Sequence, residues 1–239
     1  MRNLYSIIFI LFGIMTYAKA QTGKSVLIFS KTNGFRHASI PKGVATVSNL
    51  LDKHGIKFLH TEDSVHFHVD SLKKYDAVIF LNTTGDILDK TQKENFQKFI
   101  QSGKGYVGIH AASDTEYNWP WYGALVGGYF VSHPEVQEAR IDVLNRTHPS
   151  TSHLQQTWIH RDEWYDFRDV KDGLNILMTL DETSYKGGKM GKFHPIAWFQ
   201  EFDGGRAFYT GLGHTDESYD SEPFQKHIIG GIKYVLKIK

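Results

Sequence analysis

The chain has 239 residues, with 27 basic against 26 acidic side chains, 13 histidines and no cysteine. That balance excludes the broad basic surface that a nucleic-acid or anionic-membrane partner requires. The missing cysteine excludes disulfides, a thiolate nucleophile and iron–sulfur chemistry, and the length suits one large α/β domain with no repeat or linker to divide it.

Arg2, the apolar run from Ile7 to Tyr17 and the small-x-small triplet Ala18-Lys19-Ala20 read as a secretory signal peptide over residues 1–20. The apolar part is too short for a bilayer span. Cleavage removes Arg2, Lys19 and no acid, leaving 25 basic and 26 acidic residues and a formal charge of −1. The expected location is periplasmic or secreted, without a lipid anchor, since no cysteine can carry one. Residues 21–239 are then the α/β domain.

Ser25–Ser30 is an unbroken apolar run of buried-strand length. A helix follows, with Ser39 as its candidate cap, Pro41 in its first turn, Val44, Val47, Leu50 and Leu51 as its stripe, and Gly55 beyond its end. Lys57–His60 is a short strand, and Tyr75–Leu81 a third. Residues 89–102 form the next helix, capped by Thr91 with Glu94 or by Asp89. Tyr106–Ile109 is the fourth strand, giving β-α-β-β-α-β with strands buried on both faces. Trp119-Pro120-Trp121 and Gly127-Gly128 mark a loop and a short helix. Glu138–Val143 alternates as a half-buried strand, and residues 145–172 have no clear period. Strands at Leu174–Thr179 and Pro195–Gln200 precede a hairpin turn at Asp203-Gly204-Gly205 and the strand Arg206–Thr210. The last helix starts near Pro223, with Gly230-Gly231 suited to close packing on a sheet.

Four of these strands run into polar or histidine-bearing turns: Gly34-Phe35-Arg36-His37, Asn82-Thr83-Thr84, His110-Ala111-Ala112 and Gly211-Leu212-Gly213-His214. In a parallel sheet these turns share the carboxyl edge, where open α/β sheets bind ligands. His110 occupies the strand-to-helix elbow that presents the nucleophile in α/β hydrolases and class I glutamine amidotransferases. An imidazole there moves protons near neutral pH or binds a metal. His37 and His214 are the other two edge histidines, and Arg36 suits an anionic or polyhydroxyl ligand. His160-Arg161-Asp162-Glu163-Trp164-Tyr165 is the densest polar cluster. Adjacent Asp162 and Glu163 cannot both face inward on a regular element, so one is expected in solvent and the other as base or ligand. His133-Pro134 and His194-Pro195 read as turns, and His66 and His68 as one polar face. Walker, Gly-x-Gly-x-x-Gly, His-Glu-x-x-His and Gly-x-Ser-x-Gly patterns are all missing.

Thr32–Ile40, Gly105–Ala112 with Asp114-Thr115, Asp162–Tyr165, Pro195–Trp198 and Gly205–His214 together resemble the ThuA-like family, named for trehalose utilisation in bacteria. The resemblance spans residues 25–237, with Trp164 standing where the family pattern has Leu. It implies a class I glutamine amidotransferase-like fold, a flavodoxin-like three-layer α/β sandwich with a mainly parallel sheet. It does not imply glutaminase activity, because the elbow holds His110 rather than cysteine. It implies carbohydrate catabolism, on glycosides or 3-keto-glycosides. The first expectation is acid/base chemistry by His110 as base and His214 as acid, with His37, Asp162 and Glu163 as further catalytic candidates. The outcome would be elimination, isomerisation or hydrolysis. Arg36, Asp114, Trp198, Tyr165 and Trp164 are the substrate-binding candidates. The alternatives are a non-catalytic carbohydrate-binding protein that stacks sugars on Trp198, Trp164 and Tyr165, and metal-assisted hydrolysis with a divalent metal on His37, His110 and His214. The expected partner is a small carbohydrate, with oligomerisation left open.

Overall fold

The computed structural model describes residues 23–238, so the segment read as a signal peptide lies outside the described residues. The first half of the chain forms β1 (Ser25–Phe29), α1 (Ile40–Lys53), β2 (Lys57–Thr61), α2 (Val69–Leu72), β3 (Ala77–Leu81), α3 (Lys90–Gln101) and β4 (Gly105–Ile109). The middle adds α4 (Pro120–Val126), β5 (Tyr129–Ser132), β6 (Gln137–Val143), β7 (Thr157–Asp162) and β8 (Asp166–Arg168). The chain continues through β9 (Asn175–Asp181), β10 (His194–Phe202), β11 (Gly205–Thr210), α5 (Asp216–Asp220) and α6 (Glu222–Leu236).

Nine strands make one sheet in the order β2-β1-β3-β4-β11-β10-β9-β6-β7, and β5 pairs with β8 in a second. The first five strands run parallel, which is the flavodoxin-like order. The other four join antiparallel. Helices α1, α5 and α6 pack together, and α6 lies against β4 and β11. On the opposite face Phe80 packs against Phe67, Phe96, Tyr106 and Tyr122. The result is the three-layer sandwich, with β3 and β4 buried along their whole length as their continuous apolar sequences require. Gly231 is one place where the layers meet without room for a side chain: a Cβ there would lie 2.4 Å from the Phe208 ring.

Two capping signals come out otherwise. Asp89, not Thr91, caps α3, in a reciprocal box with Gln92. Ser39 does not cap α1 with its side chain. Its Oγ instead donates to the Gly213 carbonyl at 3.4 Å and accepts from Asn82 Nδ2 at 3.2 Å, tying α1 to the loop after β11. The aperiodic stretch 145–172 contains β7 and β8. In β7 the more buried positions are Trp158, His160 and Asp162, while Ile159 is exposed. The alternation is there, but with polar residues inward and an apolar one outward, so hydrophobicity does not reveal it.

Candidate active site

Each edge histidine is fixed by a different stretch of backbone. His37 is in the loop from β1 to α1 and is 3 % exposed. His110 follows β4 with φ of +49°, a left-handed conformation that a non-glycine residue rarely holds. That turn is the elbow expected from the sequence, and its φ aims the side chain away from the strand. His214 follows β11 beyond Gly213, whose φ of +113° suits only glycine.

The three imidazoles converge. Their ring centres are 5.0 Å (His37–His110), 5.1 Å (His37–His214) and 5.2 Å (His110–His214) apart, with steep interplanar angles. Glu163 closes the group from the loop after β7. Its Oε2 is 3.0 Å from His214 Nδ1 and 3.4 Å from His110 Nε2, and those two nitrogens are 3.3 Å apart. His110 Nδ1 donates to the Gly211 carbonyl at 2.7 Å. A carbonyl only accepts, so Nδ1 carries the proton of this bond and Nε2 is the nitrogen that faces the cluster.

The environment sets the charges. Burial, reinforced by His110 and His214, pushes His37 down to about 3, so this ring is neutral. Burial alone would raise Glu163, but hydrogen bonds from His110 and His214 outweigh it and hold the carboxylate ionised. Burial lowers His214, and the Glu163 carboxylate more than offsets this, so its pKa ends above the usual value.

Asp162 and Glu163 are both buried, contrary to the expectation that one faces solvent. The strand ends at Asp162, so strand alternation no longer governs Glu163. Their roles differ. Asp162 accepts from Gly213 N (2.7 Å), Ser218 Oγ (2.8 Å), Glu163 N (3.0 Å) and His214 N (3.1 Å). With four donors its carboxylate is a bracket for the His214 loop rather than a free base. β7 stands four places from β11 in the sheet order, yet its last residue bonds the loop after β11. The antiparallel half of the sheet therefore curls over the carboxyl edge.

The substrate-binding candidates fare unequally. Trp164 and Trp198 are at most 1 % exposed, and their indole N–H groups donate to the Gln137 and Val126 carbonyls. They are core residues and offer no face to a sugar. Tyr165 is buried with its ring 4.1 Å from those of His110 and Phe130 and its hydroxyl 3.3 Å from His37 Nε2, so it braces the imidazoles. Arg36 is committed to Glu62 in a two-pronged exposed ion pair. Asp114 accepts from the Tyr117 hydroxyl at 2.6 Å. Sequence reasoning missed His133. It lies past the end of β5 with its side chain 43 % exposed and its Nδ1 2.9 Å from Glu163 Oε1. Its only local signal, His-Pro, reads as a turn.

A histidine at the elbow of a flavodoxin-like sheet, ringed by two further histidines and a glutamate, defines a class I glutamine amidotransferase-like α/β protein without that class's cysteine. The family model described as trehalose utilisation, ThuA, matches residues 25–235, and the chain belongs to the ThuA family. A ThuA-like protein of Bacteroides uniformis is similar at 23% identity and a TM-score of 0.77, over 93% of this chain and 95% of that one. One from Parabacteroides merdae has 19% identity and a TM-score of 0.75, over 89% and 90%. A β-galactosidase of Bacillus circulans shares the fold over 91% of this chain but 32% of its own, at 12% identity and a TM-score of 0.60. No curated protein matches the chain.

Proposed function

We propose that this protein is an exported enzyme of carbohydrate catabolism that acts on 3-keto-glycosides at the His37–His110–His214–Glu163 cluster. The observation that carries the reading is the convergence of three imidazoles and an ionised carboxylate on the carboxyl edge, beside one open histidine. The family's link to trehalose utilisation supports the substrate class.

A ketone at C3 acidifies the proton at C2. Removal of that proton forms the C1–C2 double bond, breaks the bond from C1 to the glycosidic oxygen, and releases that oxygen as an alcohol once it is protonated. His110 is enclosed at 0 % exposure and cannot reach a sugar. His133 can. Its Nδ1 faces two acceptors at 2.9 Å, Glu163 Oε1 and the Pro134 carbonyl, so Nδ1 carries a proton and Nε2 is the nitrogen left to take another. His133 takes the C2 proton and returns it to the leaving oxygen. A sugar-binding module is the weaker reading, because all three of its stacking rings are buried.

The substrate reading predicts turnover of 3-keto-glycosides and none of the parent glycosides, together with exchange of the C2 proton into D2O. Equal processing of both sugar classes would exclude proton removal next to a ketone. The export reading predicts that intact mass of the secreted protein corresponds to a chain starting at Gln21, and retention of Met1 would overturn it.

A further inference from the structure

We propose that His37, His110, His214 and Glu163 form a binding site for one divalent transition-metal ion. This deepens the reading of the same cleft given above. It rests on the geometry of four atoms that face one point.

Four candidate ligand atoms, one from each residue, lie within 4.8 Å of one another. His110 Nε2, His214 Nδ1 and Glu163 Oε2 make a triangle with sides of 3.0, 3.3 and 3.4 Å. Ligand atoms about 2.1 Å from a shared ion, at angles between roughly 90° and 110°, stand about 3.0–3.4 Å apart. The ring centres tell the same story. An imidazole bound at about 2.1 Å has its centre roughly 3.2 Å from the ion, so three such rings in a tetrahedral centre are about 5.2 Å apart. Here they are 5.0–5.2 Å apart on all three sides.

The surroundings match what such a site needs. A ligating imidazole gives its second N–H to an acceptor that fixes ring and tautomer, and His110 does so to Gly211. His37 is buried with a partnerless Nδ1 and its Nε2 held by the Tyr165 hydroxyl. The free oxygen of Glu163 is held by His133. Three imidazole nitrogens and one carboxylate suit zinc, manganese, iron or cobalt rather than calcium or magnesium, which take oxygen ligands. A 3-keto sugar brings two adjacent oxygens, at C2 and C3, which form a chelating pair for such an ion.

A second cluster, Asp166, Glu182 and His194, is a useful contrast. Asp166 accepts from Lys189 N and Ser132 Oγ, Glu182 from Met190 N, and His194 Nε2 donates to the Tyr165 carbonyl. These partners are already spoken for, and the cluster braces Tyr165 rather than offering a site.

The test is metal binding by the full mature chain, with no sugar present. After dialysis against a chelator, titration with Co2+ should give d–d absorption that saturates at one equivalent. Zn2+ should displace it, and a large excess of Mg2+ should not. His214→Ala, at the partly exposed corner of the triangle, should weaken Co2+ binding at least 100-fold while the melting temperature of the metal-free protein stays close to wild type. Glu182→Gln should still bind one equivalent. Failure of wild-type protein to bind Co2+ or Zn2+, or unchanged binding in both His214→Ala and His37→Ala, overturns the site. The two readings fail separately. A protein that turns over 3-keto-glycosides but binds neither Co2+ nor Zn2+ sinks this inference alone, and one that binds a single equivalent but leaves every keto-sugar untouched sinks the substrate alone.

Discussion

His133→Gln lowers turnover of a 3-keto-glycoside by about 10²–10⁴-fold, the usual contribution of a positioned general base. Glutamine keeps a donor for Glu163 but has no group that accepts a proton near neutral pH. Because the His133 side chain is 43 % exposed, the replacement disturbs little packing. The melting temperature and the Co2+ stoichiometry should therefore stay at their wild-type values while turnover collapses. Wild-type turnover in His133→Gln would move the base elsewhere. His110→Ala is a poorer probe. That ring is fully enclosed, packs on Tyr165 at 4.1 Å and donates to Gly211, so its removal mixes lost chemistry with lost structure.

Asp162→Ala has the largest expected effect on stability. Four donors converge on this carboxylate, which is 0 % exposed. Burial raises its pKa, but His160, His110 and the Gly213 N–H outweigh that and keep it charged. Alanine leaves the Gly213, His214 and Glu163 amides and the Ser218 hydroxyl without their acceptor. Each stranded group costs roughly 1–3 kcal/mol where water cannot replace the partner, and removal of a buried charge from its network costs about 3–5 kcal/mol. The urea midpoint should fall accordingly. Turnover should fall with it in the folded fraction, since the His214 loop loses its anchor. Asp162→Asn should lie between alanine and wild type, because the amide oxygen still accepts two donors while the amide nitrogen faces two others. An unchanged midpoint in Asp162→Ala would show that the bracket contributes nothing.

The parallel half of the molecule was legible in the sequence because burial and secondary structure agree there. Apolar runs such as Ala77–Leu81 have no other reading, and the turns that follow them carry His37, His110 and His214 to one edge. The antiparallel half was harder. β7 keeps its alternation but inverts its polarity, since His160 and Asp162 face inward to serve the α5 turn and the loop after β11. His133 joins the cluster through a contact with a residue 30 positions away, which no local pattern encodes. Trp164 and Trp198 misled for a related reason: an indole looks the same on paper whether its face meets a sugar or a tyrosine. Trp198 stacks on Tyr209 at 4.6 Å.

The position of β11 has a consequence for the history of each molecule. This strand is made late, from residues 205–210, yet it lies fifth of nine in the sheet, between β4 and β10. Until it emerges, β4 has a bare inner edge and the sheet is in two unpaired pieces. A nascent chain therefore cannot close its sheet before almost all of it has been synthesised. Long-range pairing of this kind forms slowly. The keystone of the sheet is thus the last strand delivered.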